Sequence, residues 1–124
     1  MTKEKQNEDL VNTLITISES SSKKSQVPLT KNKSVKELIY QVLKDKPYHY
    51  KQYDLFEEVH FNIRKKKELN ILTYKLQRSE LCSLLGWGIH GNEEGKLALI
   101  PAESEKYKKL LNNAKIKKKK AYNK

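Results

Sequence analysis

All four glycines of this 124-residue chain, together with its single tryptophan, lie within one ten-residue run, residues 86–95. Glycine reaches backbone conformations that are closed to other residues, so the tightest turns of the fold are confined to this run. Apolar, alternating segments flank the glycines at residues 87–90 and 96–100. The sequence therefore predicts a β-hairpin in which residues 91–95 form the loop.

Alternation along the first hairpin strand separates two faces. Trp87 and Ile89 share one face with the apolar residues of the second strand, which predicts a buried tryptophan. Gly88 and His90 point to the opposite face. The glycines do not form a phosphate loop, because Lys96 is followed by leucine rather than by serine or threonine. They also join two predicted strands, whereas a dinucleotide-binding glycine motif opens a helix.

Helical patterns dominate the rest of the chain. Ser34 and Glu37 have the spacing of a capping box, and an apolar stripe follows them up to Pro47. Residues 54–63 favour a helix, although Val59, Phe61 and Ile63 also alternate as a strand would. The remaining predicted elements are a strand over 11–17, a helix over 69–76, a short helix capped by Ser79 and a last helix over 103–112.

These elements predict a small single α+β domain over residues 11–112. It has an N-terminal strand, two to four helices and a glycine-tipped C-terminal β-hairpin. The alternative is a winged helix, with residues 67–78 in the groove of DNA and residues 91–95 as the wing. Residues 1–10 are polar and residues 113–124 are basic, so both ends are expected to be disordered.

Positive charge is concentrated at the C-terminal end. The chain carries a net charge of +11, yet residues 1–27 are neutral and residues 28–107 carry only +3. Residues 108–124 hold eight lysines and no acidic side chain. Such a segment attracts polyanions by releasing their counterions, or serves only to keep the protein in solution. The expected phosphate-contacting residues are Arg64, Lys65, Lys66 and Lys67, together with Lys115, Lys117, Lys118, Lys119 and Lys120.

Catalytic and metal-binding patterns are weak. His90 is the best candidate for proton transfer, but a histidine without a defined partner is more often structural. His49, His60 and His90 do not have the spacing of metal ligands, and Cys82 lies in an apolar run typical of a core thiol. We therefore expect no enzyme, no cofactor and no metal.

The segment 78–99 resembles a family of small bacterial proteins of unknown function. The resemblance rests on a Gly-Trp-Gly-Ile-His motif followed by an acidic turn that ends in Gly-Lys, and it continues in shorter pieces through roughly residues 11–120. The motif residues here, whose role is unknown, are Gly86, Trp87, Gly88, Ile89, His90, Gly95 and Lys96. The resemblance implies a bacterial cytosolic protein and transfers no activity.

Two classes of function remain open from the sequence. The first is weak, sequence-independent binding to the backbone of DNA or RNA through the lysine-rich segments. The second is a protein-interaction or accessory module whose lysines are merely solvated. A small enzyme using His90 comes third. A single cysteine and no membrane-spanning segment favour the cytoplasm and no membrane partner.

Overall fold

A mixed sheet organises the fold in the computed structural model, which describes residues 9–28 and 34–122. Within these residues the sheet has four strands in the order β3-β2-β1-β4. β1 is antiparallel to β2 and parallel to β4, and β2 is antiparallel to β3. The strands are β1 (Thr13–Thr16), β2 (Trp87–Gly91), β3 (Leu97–Pro101) and β4 (Lys117–Lys120). The predicted α+β class is confirmed.

The glycine-tipped hairpin forms as predicted. β2 and β3 pair with Ile89 opposite Leu99. In the loop, the Asn92 side chain accepts hydrogen bonds from the backbone of Glu94 and Lys96, at 2.9 and 3.0 Å. Gly95 has a φ of +81°, a conformation that favours glycine. Local turn chemistry therefore fixes this register.

Helix α1 spans Val35–Asp45, and Ser34 is its N-cap. The Ser34 hydroxyl accepts a hydrogen bond from the backbone N–H of Glu37 at 3.4 Å, as the capping spacing predicts. The Glu37 carboxylate accepts from Gln41 at 3.2 Å. Pro47 follows the helix end, where the residue before a proline avoids helical geometry.

Residues 52–63 are helical, so the strand alternative for 54–63 is wrong. Helix α2 (Gln52–Phe56) continues without a break into a π-helical segment, Glu57–Ile63. The backbone N–H of Arg64 donates to the carbonyl of Val59, five residues earlier, at 3.1 Å. Such wide turns are rare and are frequent at functional sites.

The helix predicted through residues 69–76 is wrong, and with it the groove helix of the winged-helix alternative. Two 3₁₀ turns, Ile71–Thr73 and Leu76–Arg78, replace it. Asn70 caps the first turn locally by accepting from the backbone of Leu72 at 3.2 Å. The backbone N–H of Leu76 donates to the side chain of Gln52 at 2.9 Å, so a distant residue satisfies a donor that a helix would have satisfied internally.

The disorder predicted from residue 113 onwards is also wrong within the described residues 113–122, because β4 extends the sheet beyond the predicted domain boundary at 112. Two further backbone hydrogen bonds tie the ends of β4 to the β1 region. The N–H of Lys117 donates to the carbonyl of Asn12 at 2.8 Å, and the N–H of Ala121 donates to that of Thr16 at 2.9 Å. Ala121 is 4% exposed within the main core. Backbone pairing and this apolar anchor order a segment whose side chains are almost all lysine.

The sheet separates two apolar clusters. The main core lies on the face of Ile15, Trp87 and Ile89, beneath α1, α2 and α3 (Glu80–Ser83), the last capped by Ser79 as predicted. The second cluster joins Leu14, Ile100 and Tyr107 beneath α4 (Glu105–Leu111), the predicted last helix.

Leu10 belongs to the main core at 4% exposure, so the predicted N-terminal disorder does not reach it. Residues 1–8 lie outside the described part of the chain.

Candidate functional site

β4 presents the predicted basic residues from an ordered backbone. Lys117, Lys118 and Lys120 are exposed and Lys119 is half-buried, and Lys115 just before the strand is also exposed. β4 is an edge of the sheet, because only β1 pairs with it among the described strands. The structure thus keeps these lysines together on one rim of the molecule.

Two of the β4 lysines have side-chain contacts that leave their ammonium groups largely open to solvent. The Lys120 ammonium lies 3.3 Å from the Glu19 carboxylate, in a pair that is more than half exposed on both sides. Pairs of this kind are screened by solvent and contribute little to stability. The Lys118 ammonium donates to the carbonyl oxygens of Asn113 and Ile116, at 2.5 and 2.7 Å, which are neutral acceptors.

The second predicted basic run begins where the π-helical segment ends. Lys65, Lys66 and Lys67 are exposed, and Lys65 adopts a φ of +61° as the chain turns. Arg64 differs from them. It is half-buried, and its guanidinium donates to Nδ1 of His60 at 2.6 Å. Arg64 therefore belongs to an internal contact rather than to the exposed run.

Arg78 lies beside the C-terminal end of β4. Its guanidinium carbon is 5.9 Å from the centre of the Tyr122 ring, which is 41% exposed. Gln77 fixes this arrangement, because its side chain donates to the carbonyl of Lys120 at 3.0 Å and its own carbonyl accepts from the N–H of Tyr122 at 2.9 Å. In the winged-helix alternative residues 67–78 formed a groove helix, and no sequence pattern indicated that Arg78 lies next to the lysines.

A cavity of about 220 Å³ lies between α1, the π-helical segment and the turn at residues 76–79. We call it the His60 cavity. Its lining is mostly apolar, and the described residues that line it are Val35, Ile39, Phe56, His60, Tyr74, Lys75, Leu76, Arg78 and Ser79. A second hollow of about 290 Å³ shares Val35, Ile39, Arg78 and Ser79 with it. The sequence offered no signal for this site, because its walls come from three separate segments.

His60 is the buried polar group of this cavity, at 4% exposure. Its ring contacts Phe56 and Tyr74, with centroids 6.0 and 5.0 Å away. Arginine can only donate, so Nδ1 accepts from Arg64 and the neutral ring carries its proton on Nε2. Burial, and secondly the charge of Arg64, lowers the pKa of His60. His60 is thus held as a neutral imidazole with one N–H donor.

Trp87 and Gly88 of the glycine–tryptophan motif make packing contacts within the fold. The indole N–H of Trp87 donates to the carbonyl of Gln26 at 2.8 Å, and its ring meets Tyr40 edge-on at 5.5 Å. Tyr107 packs against Gly88, where a Cβ would come within 2.6 Å of its ring. The predicted burial of the tryptophan is confirmed.

His90 has a partner that the sequence did not reveal. The Tyr48 hydroxyl lies 2.9 Å from Nδ1 of His90, and the Lys106 ammonium lies 4.9 Å from the centre of the Tyr48 ring. Tyr48 adopts a strained φ of +57°. Burial, and secondly the charge of Lys106, lowers the pKa of His90. Tyr48 and His90 thus form a half-buried pair, with the exposed Lys106 side chain beside it.

Other candidate groups take structural places. Cys82 is fully buried, and burial raises the pKa of its thiol, so it is not a reactive thiolate. Tyr50 and Tyr53 are partly buried and pack against the main core. Among the described residues, no group of three or more His, Cys, Asp and Glu side chains has the arrangement of a metal site. None of the helices in that part of the chain combines the length and apolarity needed to cross a bilayer.

Comparison with known proteins identifies the class of this chain. Residues 5–124 match the model of a family of unknown function. The chain belongs to this family, DUF6157, and the sequence-based expectation of an uncharacterised family is confirmed. No curated protein and no solved structure matches the chain significantly.

Proposed function

We propose that this protein is a non-enzymatic, cytoplasmic protein that binds the phosphate backbone of DNA or RNA without sequence preference. The observation that carries the proposal is β4, an edge strand of four consecutive lysines held on an ordered sheet. Lysine contacts to phosphates release counterions and supply affinity that does not depend on sequence.

An ordered lysine strand suits this role better than a disordered tail does. In a β-strand, alternate residues lie on the same face about 6.6 Å apart, so Lys117 and Lys119 form one pair and Lys118 and Lys120 form another. The backbone of β4 is already fixed by β1, so a polyanion need not pay the entropy of ordering it.

Arg78 and Tyr122 extend this surface beyond the end of the strand. A guanidinium beside an exposed tyrosine ring is a combination that binds both phosphates and unstacked bases. Lys65, Lys66 and Lys67 add charge at the end of the π-helical segment. The proposal therefore assigns the predicted basic residues to phosphate contact, except Arg64, which is committed to His60.

The test is salt-dependent binding to a fluorescent oligonucleotide of about 20 nucleotides, followed by anisotropy from about 20 to about 200 mM salt. The Lys117→Gln/Lys119→Gln variant removes two charges from β4. The matched control, Lys44→Gln/Lys46→Gln, removes two charges at the end of α1, which contacts β3 at the opposite edge of the sheet. We expect the β4 variant to flatten the slope of log K against log salt by about 1.4 to 1.8, and the control to leave it nearly unchanged.

Two results would overturn the proposal. One is the absence of any anisotropy change with single-stranded or duplex DNA or with RNA at low salt. The other is an equal loss in the two variants, which would mean that binding follows net charge rather than β4. Either result would favour the accessory-module interpretation, in which edge lysines only prevent unwanted strand pairing.

A further inference from the structure

The His60 cavity has the features of a small-molecule site, and of the residues that line it the proposed function uses only Arg78. At about 220 Å³ it is smaller than the roughly 300–1,000 Å³ typical of sites for drug-sized ligands. Its floor is apolar and aromatic, with Ile39, Phe56 and Tyr74. A ligand that fits must therefore be small and have an apolar body.

The charges around the cavity specify the rest of the ligand. Lys75 and Arg78 line it, and no acidic side chain is among the described residues that do so. Glu80 borders only the neighbouring hollow, and Lys36 already lies 2.6 Å from its carboxylate. Arg78 forms no ion pair within the described part of the chain. Its contact there is with the ring of Tyr122.

His60 gives the apolar cavity a polar wall. It is a cavity-lining residue, 4% exposed, and Arg64 occupies its Nδ1. The cavity thus combines an apolar, aromatic floor with one imidazole and two cationic side chains.

We propose that the His60 cavity binds a small monocarboxylate that has an aromatic or branched aliphatic body. The carboxylate pairs with the Arg78 guanidinium, whose planar fork matches it, while Lys75 adds charge. The apolar body contacts Ile39, Phe56 and Tyr74. This proposal shares Arg78 with the proposed nucleic-acid surface but does not depend on the lysines of β4, which carry that function.

Phenylacetate and phenylacetamide are the probes, because they have nearly the same shape and differ in charge. Each is titrated into the ¹⁵N-labelled full chain, and the backbone amide shifts are followed by NMR. For a ligand of this size we expect a phenylacetate Kd of about 1 mM, with shifts centred on His60, Tyr74 and Arg78. Phenylacetamide is expected to bind about tenfold more weakly, since it lacks the charge-assisted pair.

Two variants and a control complete the test. Arg78→Gln removes the exposed charge and should abolish the preference for the acid. Lys44→Gln, a loss of the same charge on the distant end of α1, should keep that preference. Val35→Phe fills the mouth shared by the two hollows and should eliminate binding of both probes, while the NMR spectrum shows that the fold persists.

The wild-type titrations alone can overturn the inference. It is wrong if phenylacetate causes no shift at about 10 mM, if its shifts lie away from the cavity, or if the amide binds as well as the acid. An unchanged preference in Arg78→Gln would also exclude the assigned role of Arg78. Loss of binding only in Lys117→Gln/Lys119→Gln would place the carboxylate on β4 and contradict the cavity site.

Discussion

β3 lies at one edge of the sheet and β4 at the other, and their sequences have little in common. β3 is apolar, follows β2 through a short loop and places Leu97, Ala98 and Ile100 in the interior. β4 consists of lysines and pairs with a strand about one hundred residues earlier in the chain. Side-chain burial holds the first edge, whereas main-chain hydrogen bonds and a flanking apolar residue hold the second. A strand therefore need not be apolar to be ordered, provided that its ends are anchored.

The largest effect is expected beside the β3 edge, at Gly91. A Cβ at this position would overlap the backbone carbonyl of Leu10, which cannot move aside as a flexible side chain could. We expect Gly91→Ala to lower the free energy of unfolding by about 3 kcal/mol, measured by urea denaturation.

Gly95→Ala is the matched control for that substitution. Gly95 has a φ of +81°, but a Cβ there would meet side chains rather than backbone, those of Asp9 and Val11 at 3.2 and 3.5 Å. Its cost is backbone strain, about 1–2 kcal/mol. If Gly91→Ala proved no worse than Gly95→Ala, the hairpin edge would be less rigid than its packing indicates.

A smaller effect is expected at β4, from Ala121→Asp. This places a carboxylate in the main core at the end of the strand and should cost about 2 kcal/mol. Protection of the Lys117 amide against hydrogen exchange should fall with it, because that amide donates to Asn12 in the β1–β4 pair.

Tyr122→Asp makes the same charge change one residue later, on an exposed side chain, and should leave stability and protection nearly unchanged. If the Lys117 amide of the unaltered protein exchanged at the rate of an unfolded chain, β4 would be disordered and the comparison of the two edges would fail.

The smallest effect concerns pH and His90 in β2. The folded pKa of His90 is lowered by burial and by Lys106, so the unfolded chain binds the proton more readily. Stability should therefore be complete above the unfolded pKa of about 6.5 and should fall as the pH decreases below it. Burial and Arg64 give His60 a shift of the same sign.

An NMR titration of the His90 ring measures this shift directly. Lys106→Gln removes the second cause and should raise the pKa of His90 towards its ordinary value. Urea unfolding at about pH 7.5 and about pH 5.5 should then show a smaller loss of stability in the variant. A His90 pKa that did not change in Lys106→Gln would mean that burial alone sets it.

The elements that the sequence predicted correctly depend on neighbours in the chain. Ser34 caps α1, and Asn92 and Gly95 build the hairpin loop, all within a few residues. The helix prediction for residues 67–78 failed because the backbone N–H of Leu76 donates to the side chain of Gln52. Helical spacing in the sequence cannot reveal such an interaction. The strand β4 was missed because a run of lysines has no hydrophobic alternation that would indicate a strand. One hint of order was the apolar Ala121 just beyond the lysines, which is buried in the structure.

The candidate sites divide in the same way. The exposed lysines could be predicted from composition, because charge alone placed them at the surface. Arg64 was assigned to the same run, and only the fold shows that it belongs to His60. The pairing of Tyr48 with His90 and the cavity beside His60 required segments far apart in sequence to converge, and no local pattern records such convergence.

The parallel pairing of β1 with β4 has a consequence during synthesis. Chains emerge N-terminus first, so β1 exists long before its lysine-rich partner does. Until then β1 is an outer strand with unpaired backbone groups, and its residues Leu14 and Ile15, fully buried in the finished fold, make it attractive to another nascent copy. Once β4 pairs with β1, the edge of the sheet is a lysine strand, and the positive charges on two such edges repel each other.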